Sequence, residues 1–211
     1  MFKDNLVFVR ECIKEFEKTG TAFPTSKWAA SALTDPLRGE RGPKRILEIG
    51  PGTGSVTVKI LQELRPEDHL TICEINPRFM AALKENLSIN PDFLKHRDRI
   101  HFFEGPVQKL PEEGKFEVIV CALPFLNFDL HTVEEIFNKL KNISAPNAVM
   151  TYYQYIGLRS LSRTVSSPRT RQRIRELDTF FDSMYAKHLT GKKRVWLNVL
   201  PVNIYTLELA A

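Results

Sequence analysis

The segment Arg45-Ile-Leu-Glu-Ile-Gly-Pro-Gly-Thr-Gly54 constrains this chain more than any other: an apolar run ends in three alternate glycines and passes directly into Ser55-Val-Thr-Val-Lys-Ile-Leu. It reads as a strand, a turn and a helix. Glycine serves such a turn because the backbone must reverse sharply and a ligand must approach with no Cβ in the way. Downstream, short apolar runs alternate with helical patterns. Strands are expected near 45–49, 69–74, 100–103, 116–121, 147–153, 194–199 and 202–208, and helices near 54–64, 77–88, 130–142 and 159–188. This alternation predicts an α/β fold, with a seven-stranded, mostly parallel sheet, helices on both faces and an antiparallel C-terminal hairpin around Pro201.

With 211 residues, 43% hydrophobic and 26% charged, the chain has the composition of one globular domain with room for an appended arm. The longest apolar stretch, Val118 to Leu126, is nine residues and contains Pro124, too short and too broken for a bilayer-spanning helix. No secretory signal opens the sequence. The three cysteines, at 12, 73 and 121, suit a reducing cytosol better than a disulfide framework, and the five histidines show no metal-ligand spacing, so no metal is expected. Phe2, Leu6, Val9, Ile13 and Phe16 form one helical stripe closed by Gly20, which suggests an N-terminal helical arm over 1–38 and the main domain over 39–211. The net charge of +5 is unevenly spread. From Gly157 to Arg194 ten cationic residues face three acids, a net +7 that leaves −2 for the remainder. Such a block is either a solvated helix face or a surface for a polyanion, lipid headgroup or nucleic acid.

The spacing of the turn narrows the ligand. Glycines at 50, 52 and 54 make GxGxG, whereas a dinucleotide fingerprint would place its third glycine at 55, which is serine. Glu48 stands two residues before Gly50, and the second strand closes on Glu74, where a carboxylate can accept both hydroxyls of a ribose. Acid-x-Gly-x-Gly-x-Gly resembles motif I of the class I S-adenosylmethionine-dependent methyltransferases, a Rossmann-like fold. The resemblance implies S-adenosyl-L-methionine as cofactor, bound by Thr25, Ser26, Glu48, Gly50, Gly52, Gly54, Glu74, Ile75, Val107 and Ala122. The family often has Gly-Asp after its third strand. Here Gly105 is followed by Pro106, which has neither polar side chain nor N–H, leaving the Val107 amide to meet adenine.

After the fourth strand comes Val120-Cys-Ala-Leu-Pro-Phe-Leu-Asn-Phe128. Ala122-Leu-Pro-Phe125 is similar to the Asn-Leu-Pro-Tyr acceptor loop of ribosomal RNA adenine dimethyltransferases, but alanine replaces the asparagine that would accept from a planar adenine amine. The entry Phe23-Pro-Thr-Ser26, the strand Thr151-Tyr-Tyr-Gln-Tyr155 and the closing Asn198-Val-Leu-Pro-Val202 resemble, in the same order, those of bacterial soluble phospholipid N-methyltransferases. That resemblance implies methylation of the phosphatidylethanolamine headgroup by a cytoplasmic enzyme peripherally bound to an anionic membrane surface. Tyr153 and Tyr155 become candidates for orienting the amine or passing on its proton. Leu123, Pro124, Phe125, Arg194 and Asn198 become candidates for holding the lipid. Nucleic acid is a less favoured partner, as substrate of an RNA adenine N6-methyltransferase, and a non-catalytic S-adenosylmethionine-binding module is a third reading. No obligate protein partner is inferred.

Overall fold

A computed structural model describes residues 25–112, 114–157 and 168–209. The strands are β1 (Arg45–Ile49), β2 (His69–Glu74), β3 (Ile100–Glu104), β4 (Phe116–Cys121), β5 (Ser144–Tyr155), β6 (Leu189–Val195) and β7 (Val202–Glu208). They form one sheet in the order β3-β2-β1-β4-β5-β7-β6. Strands β1 to β5 pair in parallel, and β7 runs antiparallel between β5 and β6. The chain lays β2 and β3 to one side of β1, then crosses to β4 on the other. The carboxyl ends of β1 and β4 therefore flank the switch point where open α/β sheets leave a crevice.

Six α-helices surround the sheet among the described residues: α1 (Lys27–Leu33), α2 (Ser55–Glu63), α3 (Pro77–Leu87), α4 (Pro91–His96), α5 (Leu130–Ile143) and α6 (Pro168–His188). Their starts are written locally. Asn76 and Asn90 cap α3 and α4 through side-chain oxygens, each followed by proline at the first helical position, and Asp129 caps α5 by accepting from Thr132. One face of the sheet packs Leu47, Ile119, Met150 and Tyr152 against Val133, Phe137 and Leu140 of α5 and Leu177 and Phe181 of α6. The other packs Ile46, Ile72, Val118 and Tyr153 against Ala30 and Leu33 of α1, Ile60 of α2 and Leu83 of α3. Strands buried on both faces explain why β1 and β4 read as continuous apolar runs instead of alternating ones.

Several expectations change. Of the arm expected over 1–38, residues 1–24 lie outside the described residues; in the remainder Leu33 is fully buried against the sheet, and its carbonyl accepts from Thr151 Oγ1 of β5 at 2.6 Å. The helical stripe over 2–18 and the cations Arg159 and Arg163 lie outside the described residues, as does the 159–167 part of the last helix. The strand expected at 194–199 is β6 at 189–195. Pairing of Val195 with Val202 turns residues 196–201 into the hairpin connection, although their apolar run reads as strand. Helices α1 and α4 went unread, being only seven and six residues long.

At the amino ends of β1 and β2, Asp68 holds three segments together. Its buried carboxylate accepts from Arg41 Nη1 at 2.8 Å and Nη2 at 2.5 Å, from the Lys44 amide at 2.8 Å and from the Arg65 amide at 2.9 Å. These donors keep its pKa below the usual carboxylate range although burial acts the other way.

Candidate functional site

Backbone hydrogen bonds continue past the strand ends and gather four loops at the carboxyl edge of the sheet. Gly50 N donates to Cys73 O at 2.9 Å, Gly105 N to Glu74 O at 2.9 Å and Ala122 N to Ile49 O at 2.9 Å. They enclose a largely apolar cleft lined by Ile49, Gly50, Glu74, Ile75, Gly105, Pro106, Val107, Gln108 and Leu123, and closed by Phe128, Thr132 and Ile136 from the start of α5.

The glycine turn meets its requirement by geometry. Gly50, Gly52 and Gly54 have φ of +69°, +55° and +89°, values that side chains with a Cβ rarely adopt. A Cβ at Gly54 would lie 2.7 Å from Leu83 Cδ1, so this residue is glycine for packing, whereas a Cβ at Gly52 would meet nothing within 4 Å. Open space beside a left-handed glycine is what a ligand lying on the backbone needs.

The acids divide the work. Glu74 is nearly buried at the tip of β2; its Oε1 accepts from the Asn76 amide at 2.8 Å, which fixes the carboxylate beside the cleft. Glu48 is completely buried beneath the turn, and neither carboxylate oxygen makes a hydrogen bond of ordinary geometry. Burial pushes its pKa up to about 8; the Thr57 hydroxyl works against that shift and the neighbouring Glu74 adds to it. An orphaned carboxyl beside a second acid favours a cation. S-adenosylmethionine, with its sulfonium and ammonium groups and its vicinal ribose hydroxyls, fits this donor-poor, acid-flanked cleft. Gly50, Gly52, Glu74, Ile75 and Val107 would hold it, with Glu48 buried beneath the turn.

Other candidates move. Tyr153 and Tyr155 project to the far face of the sheet. They meet edge to face with centroids 5.4 Å apart, packed in the core that includes α1, and neither lines the cleft. Burial raises the pKa of both hydroxyls, that of Tyr153 well above 10. Tyr152 and Gln154 alternate with them toward the opposite face of β5, the one packed by α5 and α6. Tyr152 is stacked on Tyr205 at 5.3 Å and hydrogen-bonded to the Tyr185 hydroxyl, while Gln154 is buried with its Nε2 unpartnered. Phe125 is likewise core, edge-on to Tyr152 at 5.6 Å and beside Phe137 at 5.2 Å, because the Phe125–Asn127 turn tucks it inward. Phe128 takes its place on the cleft wall. Leu123 lines the cleft as expected, and Pro124 and Ala122 flank it in the loop.

Ser26 and Asn198, distant in sequence, meet: the Ser26 amide donates to Asn198 Oδ1 at 2.8 Å, and Ser26 Oγ accepts from Ala29 N as the cap of α1. Thr25 precedes this junction. Asn198 therefore ties the start of α1 to the β6–β7 connection at the carboxyl edge of β5. Arg194, exposed, lies over Trp196 at 5.3 Å and reaches Asn203, and Lys193 pairs with Asp35. Gln108, Thr132 and Ile136 carried no motif and could not be found from sequence, whereas Phe128 closed the quoted acceptor loop but was passed over for Phe125. Gln154 stood inside a quoted motif but was passed over for its aromatic neighbours.

Comparison with known proteins agrees with this geometry. Residues 46–147 match the family described as "Methyltransferase domain". That segment carries a class I S-adenosylmethionine-dependent methyltransferase domain. It is 24% identical over 151 residues to the ornithine lipid N-methyltransferase of Singulisphaera acidiphila, covering 69% of this chain and 74% of that protein. It is 32% identical over 85 residues to the tRNA1(Val) (adenine(37)-N6)-methyltransferase of Bacteroides thetaiotaomicron, covering 40% of this chain and 34% of that protein. In fold it matches the O-methyltransferase of Bacillus cereus solved with S-adenosylhomocysteine, at a TM-score of 0.63 and 14% identity over 94% of this chain and 89% of that one. The methyltransferase cofactor is thus S-adenosylmethionine, and among the described residues no helix is long and apolar enough to cross a membrane.

Proposed function

We propose that this methyltransferase transfers its methyl group to the primary amine of a phosphatidylethanolamine headgroup at an anionic membrane surface. One observation carries the reading. The likeness to a lipid N-methyltransferase extends over 69% of the chain, beyond the cofactor-binding half, whereas the likeness to a tRNA adenine enzyme covers 40%. The acceptor loop agrees, since Ala122 offers no side-chain acceptor to a planar adenine amine.

When bound, S-adenosylmethionine supplies an electrophilic methyl group on a sulfonium. The chain's residues have to bring a neutral amine into line with it and exclude water. Leu123, Phe128 and Ile136 provide an apolar wall on which a desolvated amine stays unprotonated and a methylated ammonium meets an aromatic face. The amine lone pair forms the new N–C bond as the S–C bond breaks, its electrons passing to sulfur, and the amine proton leaves to solvent. We assign to Gln154, buried on β5 with an unpartnered amide nitrogen, the role of accepting a hydrogen bond from the amine through Oε1 or donating one to the lipid phosphate through Nε2. Incubating the full chain with methyl-labelled cofactor and either phosphatidylethanolamine vesicles or structured RNA tests the reading: label is expected in lipid, and label in RNA alone would overturn it.

A further inference from the structure

Only two tryptophans occur in the chain, Trp28 and Trp196, and both are exposed, at 48% and 61%. Large indoles are costly to leave in water, so two exposed ones on one surface call for a reason. Trp196 opens the β6–β7 connection together with Leu197 and Val199, exposed at 61% and 52%. Trp28 lies on the first turn of α1, and the Ser26–Asn198 hydrogen bond brings that turn against the connection. The four apolar side chains thus flank one tertiary contact.

Topology sets where this patch faces. Tyr155, at the carboxyl end of β5, pairs with Val202, and Val202 pairs with Val195. Residues 196–201 therefore emerge at the same edge of the sheet as the cofactor cleft. Each tryptophan carries a cation on its ring, Lys27 over Trp28 at 4.7 Å and Arg194 over Trp196 at 5.3 Å. The basic start of α6 approaches that edge too: Arg173 acts electrostatically on Asp129, the cap of α5 beside the cleft.

Building on the lipid reading above, we propose that Trp28, Trp196, Leu197 and Val199 form the element that inserts into an anionic bilayer and sets the cofactor edge of the sheet against the headgroups. Indoles settle at the level of the headgroups, aliphatic tips partition into hydrocarbon, and Lys and Arg stems lie along the apolar surface with their charges among anionic phosphates. A nucleic acid would use the cations and stack on the indoles but would gain little from Leu197 and Val199.

Intrinsic fluorescence reads this surface directly because both emitters lie in it. Titrating the full chain with vesicles of phosphatidylethanolamine and phosphatidylglycerol should blue-shift the emission, and brominated lipid should quench it; the Trp28→Phe variant isolates Trp196. Leu197→Ser with Val199→Ser, both at exposed positions, should weaken vesicle partitioning by on the order of tenfold or more, while methylation of a short-chain, monomeric phosphatidylethanolamine continues at the parental rate. Unshifted emission in a parent that binds vesicles, or parental partitioning by the double variant, would overturn the insertion surface and leave the lipid reading standing. Failure to methylate the monomeric lipid would overturn the lipid reading itself. A shift produced by structured RNA and not by vesicles would overturn the proposal.

Discussion

Two buried carboxyls at opposite edges of the sheet show what separates structural from functional design in this molecule. Asp68, at the amino ends of the strands, is held by both terminal nitrogens of Arg41 and by two backbone amides, and its pKa is depressed. Glu48, beneath the glycine turn at the carboxyl edge, has no such donors, and burial pushes its pKa up to about 8. Both lie out of water. The first is satisfied by the fold as a charged group; the second lacks ordinary hydrogen-bond partners and is pushed toward its neutral form. Desolvation without compensation is costly, and folded chains retain such groups where binding or chemistry uses them.

The sharpest break in that comparison is Asp68→Ala. It would strand the Arg41 guanidinium and the amides of Lys44 and Arg65, and loss of one partner of a buried pair costs about 3–5 kcal/mol. Chemical denaturation should show that loss, with cofactor affinity unchanged in the protein that remains folded. Because the folded pKa of Asp68 is depressed, the stability it contributes is present above the unfolded carboxylate pKa and lost as pH falls through the folded value.

Glu48→Gln should behave in the opposite sense. The native Glu48 carboxyl holds its proton more tightly than the unfolded chain does, so its contribution is complete below about pH 4.5 and is lost as pH rises through about 8. Glutamine stays neutral throughout. Thermal unfolding without cofactor should find the variant and parent alike near pH 5. Near pH 9 the variant should be the more stable by about 3 kcal/mol, a figure below the full shift because water follows an ionising buried group. Saturating S-adenosylmethionine should shrink that advantage, since a cation favours the ionised parent. Equal pH slopes in the two proteins would show that Glu48 already has its partner.

The smallest expected effect belongs to Glu74→Ala, which removes the acceptor for the ribose hydroxyls at the cleft. Charge-assisted hydrogen bonds of this kind are worth about 1–3 kcal/mol, so calorimetric affinity for S-adenosylmethionine should fall by roughly tenfold to a hundredfold while stability stays close to parental. Unchanged affinity would remove Glu74 from the site.

Much of this was legible in the residues themselves. The strand, glycine turn and helix at 45–64 carry their conformational demands locally, through left-handed glycines and a 3.6-residue period, and the order of apolar runs sufficed for the mostly parallel sheet. Glu48, Gly50, Gly52, Gly54 and Glu74 came from that turn and the end of the second strand, Ile75, Val107 and Leu123 from the family resemblance, and the structure gathers them at one edge. Short capped helices such as α1 and α4 are legible only weakly, because six or seven residues give a period too little room.

What the sequence by itself determined, then, is the architecture and the cofactor turn, both products of interactions within a few residues. Only the tertiary structure decided which face of β5 packs against α1 and which against α5 and α6. A strand buried on both sides shows no apolar alternation, so nothing marked Tyr153 and Tyr155 for the core shared with α1 or Tyr152 for the one shared with α6. It alone brought Ser26 to Asn198 and gathered Trp28, Trp196, Leu197 and Val199 around that contact, because a hairpin register and a long-range hydrogen bond depend on the whole chain being folded. It also separated Asp68 from Glu48. Both are acids in apolar surroundings, and only the positions of distant amides and guanidinium nitrogens make one of them complete and leave the other without ordinary hydrogen-bond partners.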